Sequence, residues 1–172
     1  RSNAYYHLGE VAVQRQQIDL AIDRFLRVER GELVIEARKQ LANLAMSQNN
    51  PDQAHRWFSE ARLLFPDFKH QLYLAEAQFQ TANNMANNAI PVLTEALSRE
   101  PESIEILYTR ALAFEQLGDI DNAETDLRKV LDLKPNDPDA MNALGYTLAD
   151  RTDRYQEALV FIEKALEQKP KS

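Results

Sequence analysis

The hexapeptide "ALSREP", residues 96–101, decides the fold because its shape returns. It recurs as "VLDLKP" at 130–135 and as "ALEQKP" at 165–170. Each copy is a small or β-branched residue, Leu, three variable positions and Pro. An alanine stands seven residues before each: Ala89, Ala123 and Ala158. Two earlier copies fit the same frame at Ala54 and Ala21, so the intervals run 33, 35, 34 and 35 residues. After each alanine comes a large apolar side chain, in the series Phe25, Phe58, Leu93, Leu127 and Ile162. A smaller one follows: Val28, Ala61, Ala96, Val130, Ala165. Pro66, Pro101, Pro135 and Pro170 close the later copies, and the first lacks its proline.

A second pattern precedes each alanine: "YYHLGEVAV" at 5–13, "RKQLANLAM" at 38–46, "LYLAEAQF" at 72–79, "LYTRALAF" at 107–114 and "MNALGYTL" at 141–148. Apolar residues recur at three and four, so each unit reads as two amphipathic helices. The punctuation agrees. Asn50 before Pro51, and Asp137 before Pro138, pair an N-cap with a proline suited to the first helical position. Gly118 stands where a helix must stop and Asp119 where the next begins. Each proline ends its helix, since its ring clashes with a continuing turn.

One helical pair cannot bury its apolar face alone, whereas stacked like pairs can, provided side-chain sizes repeat at the same interval. Small residues such as Gly9, Ala42, Gly145 and Ala158 let helices approach; a leucine at Gly145 is expected to overpack the last pair. Three departures stand out. Arg110-Ala111 replaces Leu-Gly in the fourth copy, and the third is irregular around Ala75-Glu76. The third and fifth copies each carry an extra residue, placed by this reading in the turns "TANNMANNA" and "DRTDRYQEA".

These residues resemble the tetratricopeptide repeat, a helix–turn–helix unit of about 34 residues. The resemblance implies an all-α, right-handed superhelical solenoid of about five hairpins. The whole chain, 1–172, forms one array with repeats near 2–34, 35–68, 69–103, 104–137 and 138–172. The family's first helices line a concave groove that binds a peptide or protein segment. By resemblance that groove holds Tyr6, Glu10 and Val13; Lys39, Asn43 and Met46; His70, Tyr73 and Ala77; Tyr108, Leu112 and Glu115; and Asn142, Tyr146 and Asp150. Tyrosines would stand at four of five levels, large contact area with a hydroxyl for hydrogen bonds; the alternative is that they pack between neighbouring pairs and recognise nothing. Some co-chaperones of the family grip an acidic C-terminus with basic and Asn side chains. Lys39 and Asn43 match the first share of that clamp, but Leu74, Glu105 and Thr109 fall on the later shares and cannot hold a carboxylate.

The segment "DAMNALGYTLADRTDRYQEALVFIEKALE" resembles a stretch of large proteobacterial tetratricopeptide proteins, many of them outer-membrane lipoproteins and some of them adaptors for periplasmic proteases. It implies a scaffold or adaptor inside a larger, lipid-anchored envelope protein, on the periplasmic side of the outer membrane; a cytoplasmic setting is the alternative. The chain is then expected to be a fragment. Its last hairpin, near Leu159, Ile162 and Leu166, would meet another element or a second copy.

Chemistry has no foothold in the sequence. His7, His55 and His70 lack partners at metal-ligand spacing, there is no Cys, and no phosphate-binding loop or nucleophile elbow occurs. Trp57 and Phe58 read as packing residues. No catalytic role, cofactor or metal is expected. Net charge is −7: residues 1–86 hold ten basic and ten acidic side chains, and 87–172 hold ten and seventeen. Nucleic acid needs a clustered basic surface and is not an expected partner. No apolar run reaches the roughly 20 residues of a membrane span, so no membrane contact is expected of this chain. The alternatives to a groove binder are a structural spacer or an oligomerisation module.

Overall fold

The computed structural model describes residues 1–168, and Pro170 lies outside them. Ten α-helices follow in order among the described residues, with no strand. They are α1 Ser2–Gln14, α2 Ile18–Leu26, α3 Leu33–Ser47, α4 Pro51–Leu64, α5 Lys69–Ala82, α6 Ala86–Arg99, α7 Ile104–Gln116, α8 Ile120–Leu133, α9 Pro138–Arg151 and α10 Tyr155–Gln168; a single 3-10 turn, Pro66–Phe68, precedes α5. Helices α1 and α2, α3 and α4, α7 and α8, and α9 and α10 pair across short loops that reverse the chain. The chain divides into two compact units, residues 1–79 and 80–172.

The expected punctuation is present. The Asn50 side chain accepts from Gln53 N at 3.3 Å. Asp119 accepts from Asn122 N at 3.4 Å. Asp137 accepts from Asp139 N and Ala140 N at 3.1 and 2.9 Å. Helices α4, α6 and α8 each stop two residues before a proline, and the residues between, Phe65, Glu100 and Lys134, share one extended conformation (φ −128°, −128° and −138°). That is the backbone a following proline ring imposes. The first copy has Leu33 where the others have Pro, and α2 ends early, after nine residues.

A second periodic signal is in the backbone. Gln16, Asn49, Asn84 and Gly118 all have positive φ, between 56° and 76°, and each stands seven residues after a small residue: Gly9, Ala42, Ala77 and Ala111. This left-handed residue closes the first helix of the hairpin. It also sets the register of the third copy, whose small residue is Ala77, so its hairpin turn has ordinary length. The extra residue expected in "TANNMANNA" lies earlier instead, at the Pro66–Phe68 turn. The fifth copy does carry its extra residue near the expected turn: α9 runs to Arg151 and closes through Thr152 in extended conformation.

In the first unit, Phe25, Phe58, Leu41, Leu72, Val28 and Val34 are fully buried. Gly9 lies against Phe25 so closely that a Cβ there would sit 2.6 Å from the ring. Trp57 is 8% exposed and Phe58 fully buried, so both are packing residues. Arg38, also buried, donates to the Phe25 carbonyl at 3.3 Å and lies over the Phe65 ring at 5.3 Å. It thereby adds a second donor to a carbonyl at the end of α2 that also accepts from Val28 N at 3.1 Å. Burial pushes its guanidinium below the ordinary value, against the raising influence of Glu60 and Glu29. In the second unit the core is Leu93, Ile106, Leu107, Leu127, Val130, Leu144 and Leu148. Gly145 repeats the role of Gly9: an added Cβ would lie 2.6 Å from Ile162 Cγ1 and 3.1 Å from the Ala158 carbonyl oxygen.

Candidate protein-binding surface

The fifteen positions expected to line a groove fall into three classes of exposure. In the first unit, Tyr6 is 9% exposed and meets Phe25 edge-on at 5.6 Å, in the room that Gly9 leaves. Glu10 is half-buried beside His7, whose Nδ1 lies 2.8 Å from Glu10 Oε2, and Val13 is half-buried against the core. Lys39 donates to Glu36 at 2.9 Å, Asn43 is exposed and Met46 half-buried. His70 is half-buried, Ala77 is buried, and Tyr73 is 2% exposed with the Arg62 guanidinium 4.4 Å over its ring. The Ala77 register makes Leu74, Gln78 and Thr81 the third-copy equivalents of the residues named in other copies; they are buried, exposed and half-buried respectively.

In the second unit the picture is more open. Tyr108, Leu112 and Glu115 recur at i, i+4 and i+7 and so share one stripe of α7. Tyr108 and Glu115 are half-buried, and Leu112 is 39% exposed. On α9, Asn142 and Asp150 are exposed and Tyr146 is 60% exposed. The Tyr108 hydroxyl is held above its ordinary pKa, first by burial and then by the carboxylates of Asp139, Asp137 and Glu115. Asp139 and Asp137 belong to the start of α9, so the aromatic ring of α7 stands beside the neighbouring first helix.

The sequence reading did not find the buried charges. Leu8, Leu41 and Leu144 each precede the small residue of their copy, and in the third and fourth copies that position is Glu76 and Arg110. Glu76 is fully buried and binds the buried Arg62, with His55 Nδ1 2.6 Å from its other oxygen. Arg110 donates to both carboxylate oxygens of Asp126, at 2.7 and 2.8 Å, and to Thr94 at 3.0 Å. Such pairs add little net stability, but removing one member strands the other's charge in the interior. The departure at Arg110 was visible as a charge in an apolar slot, a signal that a partner exists; the packing of α7 on α8 selects Asp126.

A further ion-pair cluster joins α8 to the start of α10. Glu124 accepts from Arg128 at 2.7 Å and from Arg154 at 2.7 Å, and Glu157 accepts from the same arginines at 2.5 and 2.7 Å. Burial alone would raise Glu124, but the hydrogen bonds from Arg154 and Arg128 outweigh it and hold the carboxyl low; those from Arg128 and Arg154 lower Glu157. Among the described residues no cluster of His, Cys, Asp or Glu is placed to hold a metal ion, and no helix is long and apolar enough to cross a membrane. Nothing in this arrangement points to catalysis.

Comparison with known proteins agrees with the geometry. The family model described as tetratricopeptide repeat matches residues 39–104, 84–138 and 108–172. The chain is 36% identical over 162 residues to the TPR repeat-containing protein PA4667 of Pseudomonas aeruginosa, a match covering 94% of this chain and 28% of that protein. It is 32% identical over 125 residues to an FK506-binding protein-like protein of Rattus norvegicus, covering 69% of this chain and 36% of that one. The chain thus spans only about a third of the length of these relatives. Among solved structures, a crystal structure of MamA superposes with a TM-score of 0.64 at 20% identity, covering 99% of this chain and 92% of that one. MamA from Desulfovibrio magneticus RS-1 does so at 0.64 and 18%, covering 99% and 97%. The likeness to the MamA structures is one of fold. The repeated helix pairs and these matches together show that the chain belongs to the tetratricopeptide repeat family, whose fold is a scaffold for protein–protein interaction.

Proposed function

We propose that the chain is an adaptor that holds an extended segment of a partner protein against the α7–α9 face of its second unit. The observation carrying this reading is the exposure of Tyr146 and Leu112, large side chains left outside a core that accepts most others. Tyr108, one turn before Leu112 on the same stripe of α7, adds a half-buried ring. Tyrosine and leucine in such a setting offer contact area at low conformational cost, with a hydroxyl to fix the backbone of a bound segment. A spacer would have no use for exposed aromatic area on this face.

The test is affinity capture on the immobilised chain from envelope and cytosolic fractions of the source organism, compared with Leu112→Ala/Tyr146→Ala. Both residues are surface-exposed, so helicity by circular dichroism stays unchanged. Loss of one or more captured proteins supports the reading. An identical captured set with either protein removes it in favour of a spacer.

A second surface supports the oligomerisation alternative. Tyr155, Leu159, Ile162 and Leu166 recur at i, i+4, i+7 and i+11 along α10, and three of them are 62%, 55% and 51% exposed. A stripe of that period fits another helix, and a second copy of α10 supplies one. Light scattering on the concentrated protein and on Leu159→Glu reads this directly: a monomer in both cases excludes self-pairing.

A further inference from the structure

We propose that the segment bound on the α7–α9 face is basic: a strand bearing Lys or Arg side chains interleaved with apolar ones. This rests on the reading of that face as a binding surface and goes on to name the chemistry of its occupant.

Tyr108, Leu112 and Glu115 form the α7 stripe, and Asn142, Tyr146 and Asp150 the α9 stripe. These positions hold two carboxylates and no cation. Both carboxylates lie toward the C-terminal ends of their helices, where the helix dipole adds partial negative charge. With one reversing helix between them, α7 and α9 run in the same direction, so those ends lie on one side of the unit. At the other end, Asp139 and Asp137 face the Tyr108 hydroxyl. An apolar middle of Leu112 and Tyr146 is thus bracketed by acid.

Among the described residues several cations of this unit are held away from the stripe: Arg110 is committed to Asp126, and Arg128 and Arg154 to Glu124 and Glu157. Lys134 pairs with Asp137 and offsets that carboxylate, but Asp139 still adds negative charge near Tyr108. Arg151 reaches Asp150 at 2.9 Å, a pair in which both side chains are at least half exposed and which an incoming guanidinium can replace. Glu115 is half-buried at the C-terminal end of the α7 stripe, where its carboxylate favours Lys or Arg over any anion. An acidic segment would meet like charge at both ends of the apolar middle. The same chemistry disfavours an anionic lipid surface or nucleic acid as occupant.

The test uses the 172-residue chain and three fluorescein-labelled 15-residue peptides of equal Leu and Pro content. They carry Lys and Arg, Glu, or Gln at the variable positions, and fluorescence anisotropy reads binding. The basic peptide is expected to bind about tenfold or more tightly than the glutamine peptide, and the acidic one not at all, with the preference falling as salt rises. Glu115→Lys/Asp150→Lys should abolish that preference. Asp121→Lys/Asp132→Lys changes net charge equally on exposed positions of α8 and should leave most of it. An equal loss in both double variants means diffuse attraction only and overturns the proposal. Leu112→Ala/Tyr146→Ala separates the two levels of inference. If it weakens the glutamine peptide while basic and glutamine peptides bind alike, the face binds segments but is not selective for basic ones. If no peptide responds to it, the face is not a binding surface.

Discussion

Gly145 gives the sharpest test of why these helices can pack. An ideal Cβ at this position lies 2.6 Å from Ile162 Cγ1, 3.1 Å from the Ala158 carbonyl oxygen and 3.3 Å from Ile162 N. Carbon atoms prefer about 3.5–4.0 Å, so Ile162 must move by roughly 1 Å. The other two neighbours are backbone, so α10 itself must shift. Overpacking of this kind costs about 1–3 kcal/mol, while replacing a mid-helix glycine with alanine returns about 1 kcal/mol of helix propensity. Gly145→Ala is therefore expected to destabilise the last hairpin by about 0–2 kcal/mol, and Gly145→Leu by more. Ile162→Ala removes the atom in closest contact. Because Ile162 is only half-buried, that change alone should cost about 1–2 kcal/mol. The combination should recover about 1 kcal/mol or more relative to the sum. Urea titration followed by circular dichroism, with hydrogen exchange over residues 138–168, reads the cycle. The single tryptophan, Trp57, lies in the first unit, and its fluorescence should hold steady as an internal control. Additivity within about 0.5 kcal/mol would refute the claim that this glycine exists to let Ile162 in.

Three other outcomes follow from the charges and the backbone. Arg110→Leu restores the apolar residue of other copies but strands the nearly buried Asp126, so a loss of about 2–4 kcal/mol is expected; Arg110→Leu/Asp126→Leu should return most of it in the same urea titration. Glu124 and Glu157 have folded-state pKa values below their ordinary ones, so the unfolded chain binds more protons near that range and stability rises with pH through it. Their contribution is present above about pH 4.5 and is lost as pH falls through the lower folded values. The melting-temperature gap between the native chain and Arg154→Gln should narrow between pH 6 and 3, and a constant gap would contradict this. Pro91 sits inside α6 on an exposed position and cannot donate to the Asn87 carbonyl one turn back. Pro91→Ala should raise stability by about 1–3 kcal/mol, measured as an increased urea midpoint with unchanged slope.

The repeat, the helix pairs and their caps were legible in the residues because each depends on local chemistry. A side-chain oxygen at Asn50, Asp119 or Asp137 caps wherever a helix begins. A proline at 66, 101 or 135 pushes the residue before it out of the helical backbone, although Pro91 is carried within α6. The spacing of small and large residues announced close approach at Gly9 and Gly145 before any distance was known. Tertiary structure alone decided the register of the third copy, since Asn84 takes a left-handed backbone that no residue-type rule demands of asparagine. It alone decided that Tyr6 and Tyr73 go inward while Tyr146 stays out, because burial depends on what stands opposite. The pairing of Arg110 with Asp126, and of Glu76 with Arg62, belongs to the same class. A lone charge in an apolar slot declares that a partner must exist, but only packing between separate helices determines which carboxylate or guanidinium comes within reach.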